Sequence, residues 1–195
     1  MQWLEYFGVI SGLLYLFLEI KQHKSMWVVG FLTSLVYVFV FLNAKIYADM
    51  GLQAYYVAIS VYGFFQWTRQ LHSDNKGNSG QTDEQILYTH LTPTLTFVTI
   101  SSLSILFIGI WYFLSHFTDS PIPIGDAFTT AVGIVATWML ARRIIEHWIF
   151  WVIINFISVY LYYFRGLYPT MLLYVFYALL AIAGYYNWKK KGTLF

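Results

Sequence analysis

Charged residues break this chain into seven uncharged runs, at 6–18, 25–44, 50–68, 85–118, 127–141, 147–164 and 166–188. A helix that crosses a bilayer takes about 20 consecutive, mostly apolar residues, within a range of roughly 17–25. Each run therefore predicts one spanning helix. The first is extended by Trp3 and Leu4 and closes at Glu19. The fourth opens on polar residues, which moves its helix to 91–116, and the fifth is short. The chain also matches itself. A shift of 121 lays residues 27–67 on 148–188, pairing Trp27 with Trp148, Val38 with Val159, Tyr47 with Tyr168 and Leu52 with Leu173. The same shift pairs Tyr56 with Tyr177, Gly63 with Gly184 and Trp67 with Trp188. A repeated apolar unit in a bilayer implies two half-bundles with a site between them.

Composition agrees with lipid as the solvent. Only 10% of residues are charged, against roughly 25% in soluble domains, and the mean hydropathy is +0.60. The absence of cysteine excludes disulfides and thiol chemistry. A net charge of +2 without a basic block argues against nucleic acid as a partner. Glu5 is the one charge ahead of the first apolar run, so no cleavable signal peptide is expected.

Seven spans alternate the loops between two sides. One side collects Lys21, Lys24, Arg69, Lys76, Arg142, Arg143, Lys189, Lys190 and Lys191, and the other only Lys45 and Arg165. The excess of Lys and Arg predicts an outside N-terminus and a cytoplasmic C-terminus. The expected organisation is a first three-helix bundle at 1–70, a polar cytoplasmic loop at 71–90, a connector helix at 91–118 and a second bundle at 119–195. A single extra span between two triplets restores the first orientation. The predicted fold is therefore all-α and integral to the membrane, in a 3+1+3 arrangement of two parallel repeats, as in SWEET-type transporters.

Polar and aromatic residues recur at helical spacing inside the repeats. Helix two carries Trp27, Gly30, Ser34, Tyr37 and Phe41; helix six carries Trp148, Trp151, Asn155, Ser158 and Tyr162. Helix three carries Asp49, Gln53, Tyr56 and Ser60; helix seven carries Thr170, Tyr174, Tyr177 and Ala181. Steps of three and four place each set on one face. A polar group facing acyl chains is costly, so these faces should turn inward. The candidate ligand residues are Trp148, Trp151, Asn155, Gln53, Tyr174, Tyr177, Tyr56, Ser34, Tyr37 and Asp49. Gly30 stands opposite Trp151 in the repeat, which suggests space from the first half and aromatic surface from the second. Such a pocket suits an aromatic ligand, and a cationic ring above all.

Competing roles bound these expectations. Trp3, Trp27, Trp67 and Trp188 stand near helix ends, where an interfacial belt accounts for them. Trp148 fits belt and site alike. Serine and threonine in helix four suit helix packing or bonding to the preceding turn. Glu19 beside Lys21 reads as a surface charge, Asp49 as either a lure for cations or a partner of Lys45, and Glu146 as an i+3/i+4 partner of Arg142 and Arg143. The five histidines lie at span ends or in loops, and most of them read as solvated. No nucleotide-binding loop, nucleophile elbow or metal signature is present, so no catalytic residue, cofactor or metal is expected.

Ile46-Tyr47-Ala48-Asp49-Met50-Gly51-Leu52-Gln53, Tyr62-Gly63-Phe64-Phe65-Gln66-Trp67 and Glu146-His147-Trp148-Ile149-Phe150-Trp151-Val152-Ile153-Ile154-Asn155 resemble the PnuC vitamin transporters. The likeness runs from residue 4 to residue 190, and the Trp148–Trp151 pair resembles that family's WxxW motif. The resemblance implies a homotrimer in the bacterial inner membrane. It implies facilitated diffusion of nicotinamide riboside, trapped afterwards by a cytoplasmic vitamin kinase. It places Trp148, Trp151, Asn155 and Gln53 at the substrate. Thiamine is the alternative cargo. A non-transporting membrane subunit that docks a partner on the 71–84 loop, and an intramembrane enzyme, are the alternatives of other classes.

Overall fold

In a computed structural model of the chain, described for residues 2–44, 47–74, 86–119, 121–164, 166 and 168–194, seven helices form as the uncharged runs predict. They are α1 (Gln2–Ile20), α2 (Ser25–Ala44), α3 (Tyr47–Asp74), α4 (Pro93–Phe117), α5 (Pro123–Ala141), α6 (His147–Phe164) and α7 (Tyr168–Lys191). Five of them, all but α1 and α3, are long and apolar enough to cross a membrane, and α1 adds a shorter apolar stretch at Ile10–Ile20. Two short strands, β1 (Ile86–Tyr88) and β2 (Gly192–Leu194), pair with each other. The chain divides into two compact units, Met1–Ile86 and Leu87–Phe195. In the first, α2 packs on both α1 and α3; in the second, α5 packs on α4 and α6, and α6 on α7. The connector α4 thus belongs to the second unit.

Outer faces are apolar in both units. On α2 the exposed residues include Val28, Leu32, Phe39 and Leu42, and on α6 Ile149, Ile153, Phe156 and Tyr160. On the opposite faces Ser34, Asn155 and Ser158 are buried. Leucine-like surface outside and polar groups inside is the pattern of a multi-pass membrane protein. The short fifth run gains Pro123–Asp126 at its start and becomes the most deeply buried helix, rich in alanine where α4 and α6 approach. The peripheral helix α4 is largely exposed. Thr92 caps it by accepting from the Leu95 amide at 3.3 Å, with Pro93 in the first turn. Its hydroxyls bond back as expected, from Thr96 to the Thr92 carbonyl at 3.0 Å and from Ser104 to the Ile100 carbonyl at 3.0 Å.

The internal repeat reaches the level of single hydrogen bonds. The shift of 121 carries the bounds of α1 onto those of α5. It also carries Gln22 (φ 54°) onto Arg143 (φ 58°), the left-handed non-glycine residues that end these two helices. The amides of Gln22 and His23 donate to the carbonyls of Glu19 and Leu18, and those of Arg143 and Ile144 to Leu140 and Met139. Both are the paired bonds that close a helix on a left-handed residue. A left-handed non-glycine residue costs about 1–2 kcal/mol, so its recurrence marks a required bend.

Next to each bend lies an aromatic clasp. Trp27 and Trp67 meet edge to face at 5.5 Å, and Trp148 and Trp188 at 5.7 Å. Each N-terminal ring lies on a glycine of the facing helix: a Cβ on Gly63 would stand 2.5 Å from Trp27, and one on Gly184 would overlap Trp148. All four indoles are buried. The belt expectation for Trp27, Trp67 and Trp188 is therefore corrected, because glycine lets the helices close over the rings. The side chain of Trp3 lies outside the described residues.

Three charge assignments also change. Between α5 and α6 the chain turns, so Arg142, Arg143 and Glu146 do not share a helix face. Glu146 instead bonds His90 at 2.7 Å and accepts from the Leu91 amide at 3.3 Å. His147 is buried between Trp148 and Trp188, its Nδ1 2.7 Å from the Ile144 carbonyl. Glu19 is buried, while the Lys21 ammonium lies 4.4 Å from the Phe17 ring centroid. The exposed His90–Glu146 pair should matter little: Glu146→Gln is expected to lower stability by less than about 1 kcal/mol, read as a shift in thermal unfolding in detergent, and a larger loss would show that the Leu91 bond dominates.

Candidate functional site

The described candidates fall into two groups, one per unit. In the second unit Trp151, Asn155, Ser158 and Tyr162 follow one another along the inward face of α6. Tyr162 meets Tyr174 of α7 at 5.0 Å, and Tyr174 meets Tyr177 at 5.8 Å. These three rings form one aromatic wall between α6 and α7, and the Asn155 carboxamide is buried two turns earlier on α6. Asparagine offers two donors and an acceptor. The Trp151 indole N–H is buried without a hydrogen-bond partner. An unmet buried donor costs roughly 1–3 kcal/mol, which a ligand acceptor would recover.

Trp148 is placed differently. Its ring is fully buried, against Gly184, His147 and Trp188. That position holds α6 to α7. One helical turn on, Trp151 keeps part of its surface open.

In the first unit Ser34 and Ser60 are buried, while Tyr37, Gln53 and Tyr56 are half-buried. Tyr37 packs on Phe41 at 5.8 Å, and Tyr56 on Tyr55 at 5.6 Å. The space expected over Gly30 is taken from within the unit. A Cβ there would lie 3.0 Å from the Tyr15 ring and 3.2 Å from the Ser60 hydroxyl. The side chain of Asp49 lies outside the described residues, as does that of Thr170.

Reading from sequence passed over helix α1. Its buried or half-buried stripe Ser11–Tyr15–Glu19 is polar at every fourth residue. That spacing was the available signal, obscured by taking Glu19 with its neighbour Lys21.

A family model described as nicotinamide mononucleotide transporter matches residues 2–190. The nicotinamide riboside transporter PnuC of Escherichia coli K12 is 25% identical over 205 residues, covering 96% of this chain and 85% of that protein. The riboflavin/roseoflavin transporter RibM of Streptomyces davaonensis is 26% identical, covering 95% of this chain and 84% of its own length. Among solved structures, a crystal structure of the vitamin B3 transporter PnuC superposes with a TM-score of 0.71 at 25% identity, over 96% of this chain and 81% of that one. With its helices, buried polar faces and matched length taken together, the chain belongs to the nicotinamide mononucleotide transporter family.

Proposed function

We propose that this protein is a passive carrier for nicotinamide riboside. The observation that carries the reading is the inward face of α6, which carries a buried carboxamide and an unmet indole donor on the same helix whose Tyr162 joins the Tyr174–Tyr177 rings of α7. An aromatic ring stacks on Trp151 and the tyrosines, and Asn155 bonds its amide or ribose hydroxyls. Gln53, Tyr56, Ser34, Tyr37 and Asp49 are the polar ligand contacts offered by the first unit, and Trp148 supports the site by clasping α6 to α7. The fold is the 3+1+3 arrangement of two parallel repeats, working by alternating access. The N-terminus faces outward in the bacterial inner membrane, the carrier assembles as a homotrimer, and a cytoplasmic kinase traps the vitamin after entry. No lysine or arginine lies in the middle of a predicted span, which disfavours a phosphorylated cargo.

Uptake into proteoliposomes tests this with four labelled compounds. Nicotinamide riboside is expected to enter without an imposed ion gradient, and nicotinamide mononucleotide to be excluded. Thiamine and riboflavin test the alternative cargoes, the latter because a riboflavin transporter is among the relatives. Uptake of thiamine or riboflavin in preference to nicotinamide riboside would reassign the substrate. Uptake of none would end the carrier reading.

A further inference from the structure

A groove of about 200 Å³ runs between α2 and α3 on the apolar exterior of the first unit. Trp27 is its buried wall, and Phe31 and Phe64 are half-buried beside it. Val28, Val61 and Phe65 are exposed along its rim. Ser60 also borders it but is itself buried, and the lining open to a ligand is wholly apolar. The clasp keeps the groove from closing. Trp27 is held against Gly63 and edge to face with Trp67, so its ring does not fold outward into the space.

An apolar cavity of this size holds no water, because water there lacks polar partners. A polar vitamin would likewise give up its hydrogen bonds on entering. Hydrocarbon gains by entering, since each methylene taken up there leaves water or a looser contact. The rim residues belong to the lipid-facing surface, so the hydrocarbon at hand is an acyl chain.

Charge marks one end of the groove. The Trp27 amide donates to the Lys24 carbonyl at 3.1 Å, which fixes Lys24 one turn ahead of the buried ring. Trp27 meets Trp67, and Arg69 follows two residues on, so both cations lie at the same end of the helix pair. Both side chains are exposed. Basic residues at the end of a span attract anionic headgroups.

We propose that this groove binds an anionic glycerophospholipid, with one acyl chain lying between α2 and α3 against Trp27 and the headgroup phosphate at Lys24 and Arg69. The site is separate from the inward polar faces and does not depend on what is carried.

The test uses the full chain purified in detergent and stripped of lipid. It is photolabelled with phosphatidylglycerol, and separately with phosphatidylcholine, each carrying a diazirine in one acyl chain. Label is expected at residues 27–31 and 60–65, with phosphatidylglycerol favoured by about fivefold or more. Lys24→Gln combined with Arg69→Gln should erase that preference and leave phosphatidylcholine labelling unchanged. Val61→Trp, a large ring at the exposed rim, should remove most of the label. The second repeat is the control, because Tyr185 and Tyr186 stand there in place of Phe64 and Phe65. Equal labelling of α6 and α7 would mean ordinary bilayer contact and overturns the proposal. So does equal labelling by the two lipids, displacement of the label by free oleate as readily as by phosphatidylglycerol, or a Val61→Trp protein labelled like wild type. A groove that takes no label in wild-type protein, together with a lower oligomer mass for Val61→Trp, would assign it to a second copy of the chain instead. The wild-type label map and the lipid comparison decide the matter even where a variant fails to fold.

Discussion

Replacing Gly184 with valine is expected to lower the thermal midpoint of the purified protein by roughly 10 °C. The added carbons have no free volume to enter, because the Trp148 ring already lies on the glycine and Trp188 and His147 close its other sides. Overpacking of this type costs about 1–3 kcal/mol and occasionally more. For a chain of this length, each 1 kcal/mol moves the midpoint by about 2–4 °C. Gly63→Val should act alike through Trp27. The sign reverses elsewhere. Gly51 and Gly109 are helical and have nothing within 4 Å of an added Cβ, so alanine there should stabilise by about 0.5–1 kcal/mol through helix propensity. Trp148→Phe should relieve part of the Gly184→Val penalty, since residues in contact combine non-additively. Thermal unfolding followed by size-exclusion chromatography reads all of these changes, and equal effects at Gly51 and Gly184 would remove the clasp as their cause.

Asn155→Ala is expected to weaken nicotinamide riboside binding by about tenfold while leaving the folded protein intact. Losing one or two hydrogen bonds of a buried amide to its ligand corresponds to about 1–2 kcal/mol. The fold should tolerate the change because the repeat places Ser34, a smaller side chain, at the corresponding buried position. Asn155→Ser should therefore be still milder for stability. Trp151→Ala should lose as much affinity, through stacking area and the indole donor. Trp148→Ala, in contrast, should show its main effect in stability. Binding to detergent-solubilised protein, measured beside thermal unfolding, separates the two outcomes. Unchanged affinity in both Asn155→Ala and Trp151→Ala would remove the α6 pocket.

Much of this architecture was legible because lipid is a demanding solvent. Breaks in charge marked the helices, and steps of three and four marked the faces, so the inward placement of Ser34, Asn155 and Ser158 followed from the cost of leaving them in acyl chains. The repeat was visible in Trp27, Gly63 and Trp67 against Trp148, Gly184 and Trp188. What those matches meant was not. A tryptophan near a helix end has the same sequence signature whether it faces headgroups or a facing glycine. Only the approach of the two backbones decides, and that depends on residues far apart in the chain. Glu19 was obscured for a related reason: a charge one residue from a helix end looks solvated until its side-chain direction is known. The His90–Glu146 pair spans 56 positions, and no local pattern announces such a contact. The clasp also explains how two copies of one unit diverged in chemistry. It fixes each helix pair by rings at one end, and leaves the remaining inward positions free to become Ser34 in one copy and Asn155 in the other.

The residues leading into α4 are held from several sides. β1 pairs with β2 beyond α7, Thr89 exchanges backbone bonds with Arg143 and Ile145, and Tyr88 is buried against Gly192. The end of the last helix therefore acts as a tether on the start of the fourth. A purification tag or fluorescent reporter joined directly after Lys191 would cut that tether and expose the backbone ahead of Pro93 to proteases, whereas a fusion placed after Leu194 would spare it.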